Sequence, residues 1–128
     1  MASFLRPFEG IIYSGFRLVF GLLFIQHGAQ KLFGFFGGPP PLPAPVLYTG
    51  GLIELVGGAL VAVGLMTSWA AFFCSGMMAV AYFMVHLPNG FWPIENNGEM
   101  SALYSWAFLF IAAHGPGKLS LDKALNRS

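Results

Sequence analysis

Long apolar runs alternate with short breaks of glycine and proline along most of this chain. The first run covers about residues 10–32 and is interrupted by Arg17, Gln26, His27 and Lys31. A break from Phe33 to Pro41, with further prolines at Pro43 and Pro45, cannot hold a helix and reads as a loop. The second run covers about 46–66 and contains Glu54; Thr67-Ser68 then makes a very short turn. The third run, about 69–87, has no formal charge and ends at His86. Residues 88–98 form a second loop carrying Phe91 and Trp92. The fourth run, about 99–114, is short for a span and is stopped by Gly115-Pro116-Gly117. A bilayer core of about 30 Å needs about 20 apolar residues per helix, and this pattern repeats that length. The expected fold is all-α: a transmembrane four-helix bundle forming a single domain over residues 1–128.

Composition sharpens this reading. Charged residues are 9% of the chain and hydrophobic residues 56%, with a mean hydropathy of +0.70. An average globular protein is about 25% charged, so six basic and five acidic side chains are too few to cover a water-exposed surface of this size. The expected main partner is therefore the lipid bilayer. No Lys/Arg cluster offers a nucleic-acid footprint. The lone Cys74 excludes an internal disulfide, a CxxC redox pair and a cysteine-based zinc site, and no metal centre is expected. The N-terminal run could be a signal peptide, but a cut after His27-Gly28-Ala29 would put histidine at the −3 position, so a retained helix is expected.

Arg6 precedes the first run, and Lys118, Lys123 and Arg127 follow the last; no Lys or Arg lies between Lys31 and Lys118. By the positive-inside rule, both termini face the cytoplasm and the two longer loops face outward. Phe33, Phe35, Phe36, Phe91 and Trp92 fit an interfacial aromatic belt.

Ionisable side chains within a span either turn inward or mark a site. His27 and Lys31 are four residues apart and share a helix face. Glu54 enters from the second run, His86 from the end of the third and Glu99 from the start of the fourth, all in the outer half. Arg17 lies in the inner half, about 10 Å of depth away from Glu54. Glu54 is expected to handle a proton, its counter-charge being Lys31 or His27, with Arg17 second. His27, Lys31, His86, Glu99 and Arg17 are the candidate contacts to a bound molecule. The bland reading is an ion-pair network that keeps the helices in register, and it carries about equal weight. Gly50, Glu54, Gly58 and Ala62 form a small-residue stripe of the kind that lets helices approach closely. On the third run Cys74, Met78, Tyr82 and His86 form another line, read as core. His114 at a helix C-terminus and Glu99 at a helix N-terminus complement the helix dipole. There is no phosphate loop, Ser/His/Asp arrangement or HExxH motif.

Four stretches carry a family resemblance. They are Arg17 followed by His27-Gly28-Ala29-Gln30-Lys31-Leu32-Phe33-Gly34; Gly51-Leu52-Ile53-Glu54-Leu55-Val56-Gly57-Gly58 running on to Gly64-Leu65-Met66-Thr67; His86 with Gly90-Phe91 and Asn97-Gly98-Glu99; and Leu103-Tyr104 leading to Gly115-Pro116-Gly117 and Ser120-Leu121-Asp122. In this order and over about the full length, the chain resembles the DoxX family of small bacterial membrane proteins. The family more usually has Asn-Gly-Gly-Glu where this chain has Asn96-Asn97-Gly98-Glu99. The resemblance implies a four-helix bundle in the bacterial inner (plasma) membrane, with Arg17, Lys31, Glu54 and Glu99 on the family's polar positions.

The family takes its name from a subunit linked to thiosulfate:quinone oxidoreduction, and some relatives are associated with redox or oxidative-stress complexes. Two readings follow. One is a subunit of, or accessory to, a quinone-linked redox complex, an oxidoreductase subunit if it is enzymatic at all, with quinone as its cofactor and other membrane or redox subunits or a homo-oligomer as partners. The other is a non-catalytic scaffold or assembly factor whose polar cluster fixes the bundle or a partner helix. A transporter is a weaker third reading, because four short helices leave little room for a pore.

Overall fold

A computed structural model describes residues 4–126. Arg127, one of the cations used to orient the termini, lies outside the described residues. Six helices follow in order: α1 (Glu9–Phe33), α2 (Ala44–Val63), α3 (Thr67–Asn89), α4 (Pro93–Asn96), α5 (Glu99–His114) and α6 (Leu121–Ala124). Among the described residues there is no strand.

Local chemistry sets the helix ends. Gly34 closes α1 in the left-handed conformation at φ 72°, which glycine adopts without a Cβ penalty. Pro45 sits in the first turn of α2, where a missing N–H costs nothing. The second span expected over 46–66 starts earlier and ends earlier. Gly64 at φ 74° and Met66 at φ 49° are both left-handed, so the helix stops at Val63 and the next begins at Thr67. The third helix continues to Asn89, beyond the expected 87, through a final turn of 3₁₀ type. Residues expected as loop include α4, whose first residue is Pro93. The fourth helix matches its expected limits of 99 and 114.

Among the described residues three helices are long and apolar enough to cross a membrane: the segments Arg6–Phe33, Ala44–Val63 and Thr67–Asn89. With 16 residues α5 spans about 24 Å at 1.5 Å per residue, short of the hydrocarbon thickness. It lies along α3 in an extensive pairing, second to that of α1 with α2. The side chains of Trp69, Phe72, Phe73, Phe83, Trp106 and Phe110 all point outward and are more than half exposed. Apolar surface that continuous needs a non-aqueous solvent. The chain is a membrane protein.

The core is aromatic where α1 meets α5. Phe24 and Phe108 are fully buried with ring centroids 4.6 Å apart, and Phe24 lies 5.1 Å from Tyr104. Between α1 and α2 the spacing is set by glycine. A Cβ on Gly28 would stand 2.5 Å from the Leu55 nitrogen, and one on Gly58 would stand 2.8 Å from the Gly21 carbonyl oxygen. The close contact runs through Gly51, Leu55, Gly58 and Ala62, alternating steps of four and three. The stripe expected at uniform steps of four drifts off the face, because 3.6 residues complete a turn. Gly50 consequently has open space at its Cα rather than a neighbouring helix.

At the end carrying both termini, called here the terminal end, two charges are fully engaged. Arg17 is 3% exposed. Its guanidinium donates to the carbonyls of Val61 (2.9 Å) and Ala62 (3.2 Å) at the C-terminus of α2, and to those of Pro116 (2.5 Å) and Leu119 (2.9 Å) in the tail. Carbonyls at a helix C-terminus lack intrahelical donors, and a cation there complements the helix dipole. Asp122 of α6 does the converse. Its carboxylate accepts from the Met66 and Thr67 N–H groups, each at 2.9 Å, and from the Thr67 hydroxyl at 3.0 Å, capping the N-terminus of α3. One segment of tail thus fastens two helix ends through opposite charges.

Candidate functional site

At the opposite end, which carries the two longer loops, the helices enclose a cavity of about 800 Å³. Its size lies within the range of about 300–1,000 Å³ usual for small-molecule sites. Phe24, His27 and Lys31 of α1 form one wall; Val46, Thr49, Gly50 and Glu54 of α2 form the next. Met77, Met78, Val80, Ala81, Met84, Val85 and His86 come from α3, and Met100, Ser101 and Tyr104 from α5. The proline-rich loop roofs it with Pro40, Pro41 and Leu42.

Besides Thr49, Asn97 and Ser101, five ionisable side chains interrupt this apolar lining. The Lys31 ammonium donates to both Glu54 carboxylate oxygens, at 2.7 and 2.9 Å, with the carboxylate almost entirely buried. The pair joins α1 to α2 and closes its charge on itself. His27, one turn from Lys31 on the same face, meets the Tyr104 ring edge-on at a centroid distance of 5.9 Å. Tyr104 is 3% exposed, and its hydroxyl has no hydrogen-bond partner among the described residues. His86 lies at the end of α3, where its Nδ1 is 3.1 Å from the Asn96 carbonyl oxygen.

Two of the walls are not regular α-helix. Ile53–Gly57 in α2 and Tyr82–His86 in α3 form π turns, each holding one residue more than an α turn. Glu54 is in the first and His86 in the second. Such wide turns concentrate at functional sites because they re-aim side chains without ending the helix. The loop beneath them is organised by Asn96, which is 2% exposed. Its side-chain amide donates to the Gly90 carbonyl (2.9 Å) and the Tyr82 hydroxyl (3.3 Å), while its oxygen accepts the Gly98 N–H (2.8 Å).

Of the residues expected at the site, His27, Lys31, Glu54 and His86 share this cavity. Arg17 is at the terminal end, held by four backbone carbonyls, and does not reach it. Glu99 is exposed at the start of α5 and is absent from the lining. Glu54 is paired with Lys31, one of the two counter-charges expected ahead of Arg17. Sequence reasoning passed over Tyr104 and Asn96. A tyrosine inside an apolar span is a usable signal, because a buried phenol ordinarily needs a partner. Asn96 falls in a stretch expected as loop, where asparagine is common for turn geometry alone, and carried no such mark.

Among known proteins, a family model described as DoxX matches residues 13–87. An uncharacterized protein of Haemophilus influenzae is 42% identical over 113 residues, covering 83% of this chain and 84% of that protein. The inner membrane protein YqjF of Escherichia coli is 30% identical over 120 residues, covering 87% of this chain and 89% of YqjF. No solved structure matches the chain at a significant level. With a family match that takes in most of α1, all of α2 and nearly all of α3, the chain belongs to the DoxX family.

Proposed function

We propose that this chain is one inner-membrane domain of four spans that binds a quinone-like, lipid-soluble redox molecule in its loop-end cavity. In this reading α5 is the fourth span, thinning the bilayer locally or burying its ends in protein. Both termini are cytoplasmic and the cavity lies in the outer half. The name of the Escherichia coli relative supports the inner membrane. The distribution of Arg6, Lys118 and Lys123 supports the orientation.

The observation that carries the binding reading is a large apolar cavity whose wall includes a buried, unpartnered phenol beside an imidazole. An orphan hydroxyl in hydrocarbon is costly, and a carbonyl on a bound molecule removes that cost. A quinone fits these residues: its ring suits the methionine and phenylalanine walls, and its oxygens suit Tyr104 and His27. When bound, it supplies two-electron, two-proton chemistry within the lipid phase. The chain's own residues orient the head group, exclude water and, at Glu54 beside Lys31, hold a proton. Electrons would come from a partner subunit.

The test is to purify the protein in mild detergent and analyse the co-extracted lipids, then titrate quinone and follow binding. Co-purified quinone and saturable binding are expected; absence of both refutes the proposal. The scaffold reading is favoured by one observation, the closed Lys31–Glu54 pair between α1 and α2. It requires Glu54→Gln to lose partner recovery as well as stability, whereas the binding reading requires partner recovery to persist.

A further inference from the structure

The cavity is bounded differently at its loop end and along its side. Its roof is built from proline and leucine side chains of the connecting loop, without a charged group. Its side is different. Contact between α2 and α3 is carried by the π turn Ile53–Gly57 and by Gly58–Val63, whereas Ala44–Leu52 has little contact with α3. The two helices therefore part at the loop end. Val46 on one lip is 49% exposed, and Val80 and Met84 on the other are 55% and 71% exposed. All three also line the cavity. A slot with apolar lips leads from the surrounding hydrocarbon to Tyr104 and His27.

The polar end of the slot has a definite electrical character. Lys31 spends its charge on both oxygens of Glu54, so the pair presents no net charge to an occupant. An anionic head group would have to break that pair or remain uncompensated in a low-dielectric site. What the site lacks is an acceptor for the Tyr104 hydroxyl, a donor that is buried and unpartnered.

We infer that the cavity admits its occupant sideways from the membrane, between α2 and α3, and selects an uncharged head group whose carbonyl accepts from Tyr104, with an apolar tail lying between Val46 and Val80. Tyr104 is the specificity-determining contact. This rests on the quinone-binding reading above and narrows it to an entry route and a head-group rule.

The experiment measures equilibrium binding to purified protein in detergent with two probes: a quinone bearing a long alkyl tail and the same ring without a tail. Tyr104→Phe keeps the shape of the core and removes an unpaired hydroxyl, so the empty protein should melt at the wild-type temperature or higher. Its affinity for both probes should fall tenfold or more. Val80→Trp should weaken the tailed probe at least tenfold and leave the tailless ring nearly unchanged. Phosphatidylglycerol in mixed micelles should fail to displace the tailed probe. Unchanged affinity in Tyr104→Phe overturns the head-group rule. Equal effects of Val80→Trp on the two probes, or none, overturn the lateral route. Displacement by phosphatidylglycerol overturns the selection for an uncharged head. If the unaltered protein binds neither probe, the quinone reading falls and this inference with it; tight binding indifferent to both substitutions overturns this inference alone.

Discussion

Replacing Asp122 by alanine should loosen the terminal end of the molecule by a calculable amount. The carboxylate is 1% exposed and receives two backbone N–H groups and one hydroxyl. Removing an N-cap acceptor costs about 0.5–2 kcal/mol, and each hydrogen bond to a charged group contributes about 1.5–3 kcal/mol net. Met66 is 51% exposed, so its N–H has a route to water, which leaves the two Thr67 donors stranded. A loss of about 3 kcal/mol follows, or a fall in Tm on the order of 10 °C for a chain of this size. Asp122→Asn keeps a neutral acceptor in place and should lose about half as much. The same tail supplies Pro116 and Leu119 carbonyls to Arg17, so Asp122→Ala should also open residues 116–126 to protease before the helices unfold. Tryptophan fluorescence during heating in detergent, with timed proteolysis, reads both effects. The exposed Lys123→Ala serves as control and should change neither. Wild-type melting and wild-type protease resistance in Asp122→Ala would refute the assignment of a fastening role to the tail.

Other outcomes can be checked in the same preparation. Glu54→Gln should lower stability by about 3 kcal/mol because it leaves Lys31 without its anionic partner, and the double change Lys31→Met/Glu54→Leu should recover most of that loss in the melting curve. Gly28→Val should abolish monodisperse protein on size exclusion, since its Cβ would meet the Leu55 backbone at 2.5 Å, whereas Gly50→Ala, with open space at that position, should hold or raise the Tm. Cys74 is fully buried, so a maleimide should label it only when the protein is unfolded; rapid labelling in mild detergent would contradict the packing of α3.

Most of the helical plan could be read from the chain, because solvent is the dominant constraint on a membrane span. Apolar runs and Gly/Pro breaks located α1, α2, α3 and α5 to within three residues at each end. The misplaced end of α2 has a local cause: Leu65 and Met66 are apolar and continue the pattern, but backbone conformation at Gly64 and Met66, not hydropathy, ends the helix. The gathering of His27, Lys31, Glu54 and His86 followed from opposed chain directions and a shared depth. The depth of Arg17 was legible, but its partners are helix-end and tail carbonyls, groups that every residue possesses and no sequence pattern distinguishes. The role of Asp122 was equally hidden, since a single acid in a polar tail gives no hint of a partner 55 residues upstream. Tyr104 belonged to a quoted family stretch, yet only its missing partner sets it apart.

The wide turns in α2 and α3 carry a consequence for how this family can change length. Removing one residue from an ordinary membrane helix rotates everything beyond it by about 100°, turning buried faces to lipid. A π turn already holds a surplus residue, so a deletion within Ile53–Gly57 can be absorbed by reverting to α pairing, leaving the faces on either side in phase. Deletions in these helices should therefore be survivable at two places only, and both of them border the cavity. Natural or engineered members shortened there would keep the packing of their helices while losing the aim of Glu54 or His86, which separates the capacity to fold from the capacity to bind at a cost of one residue.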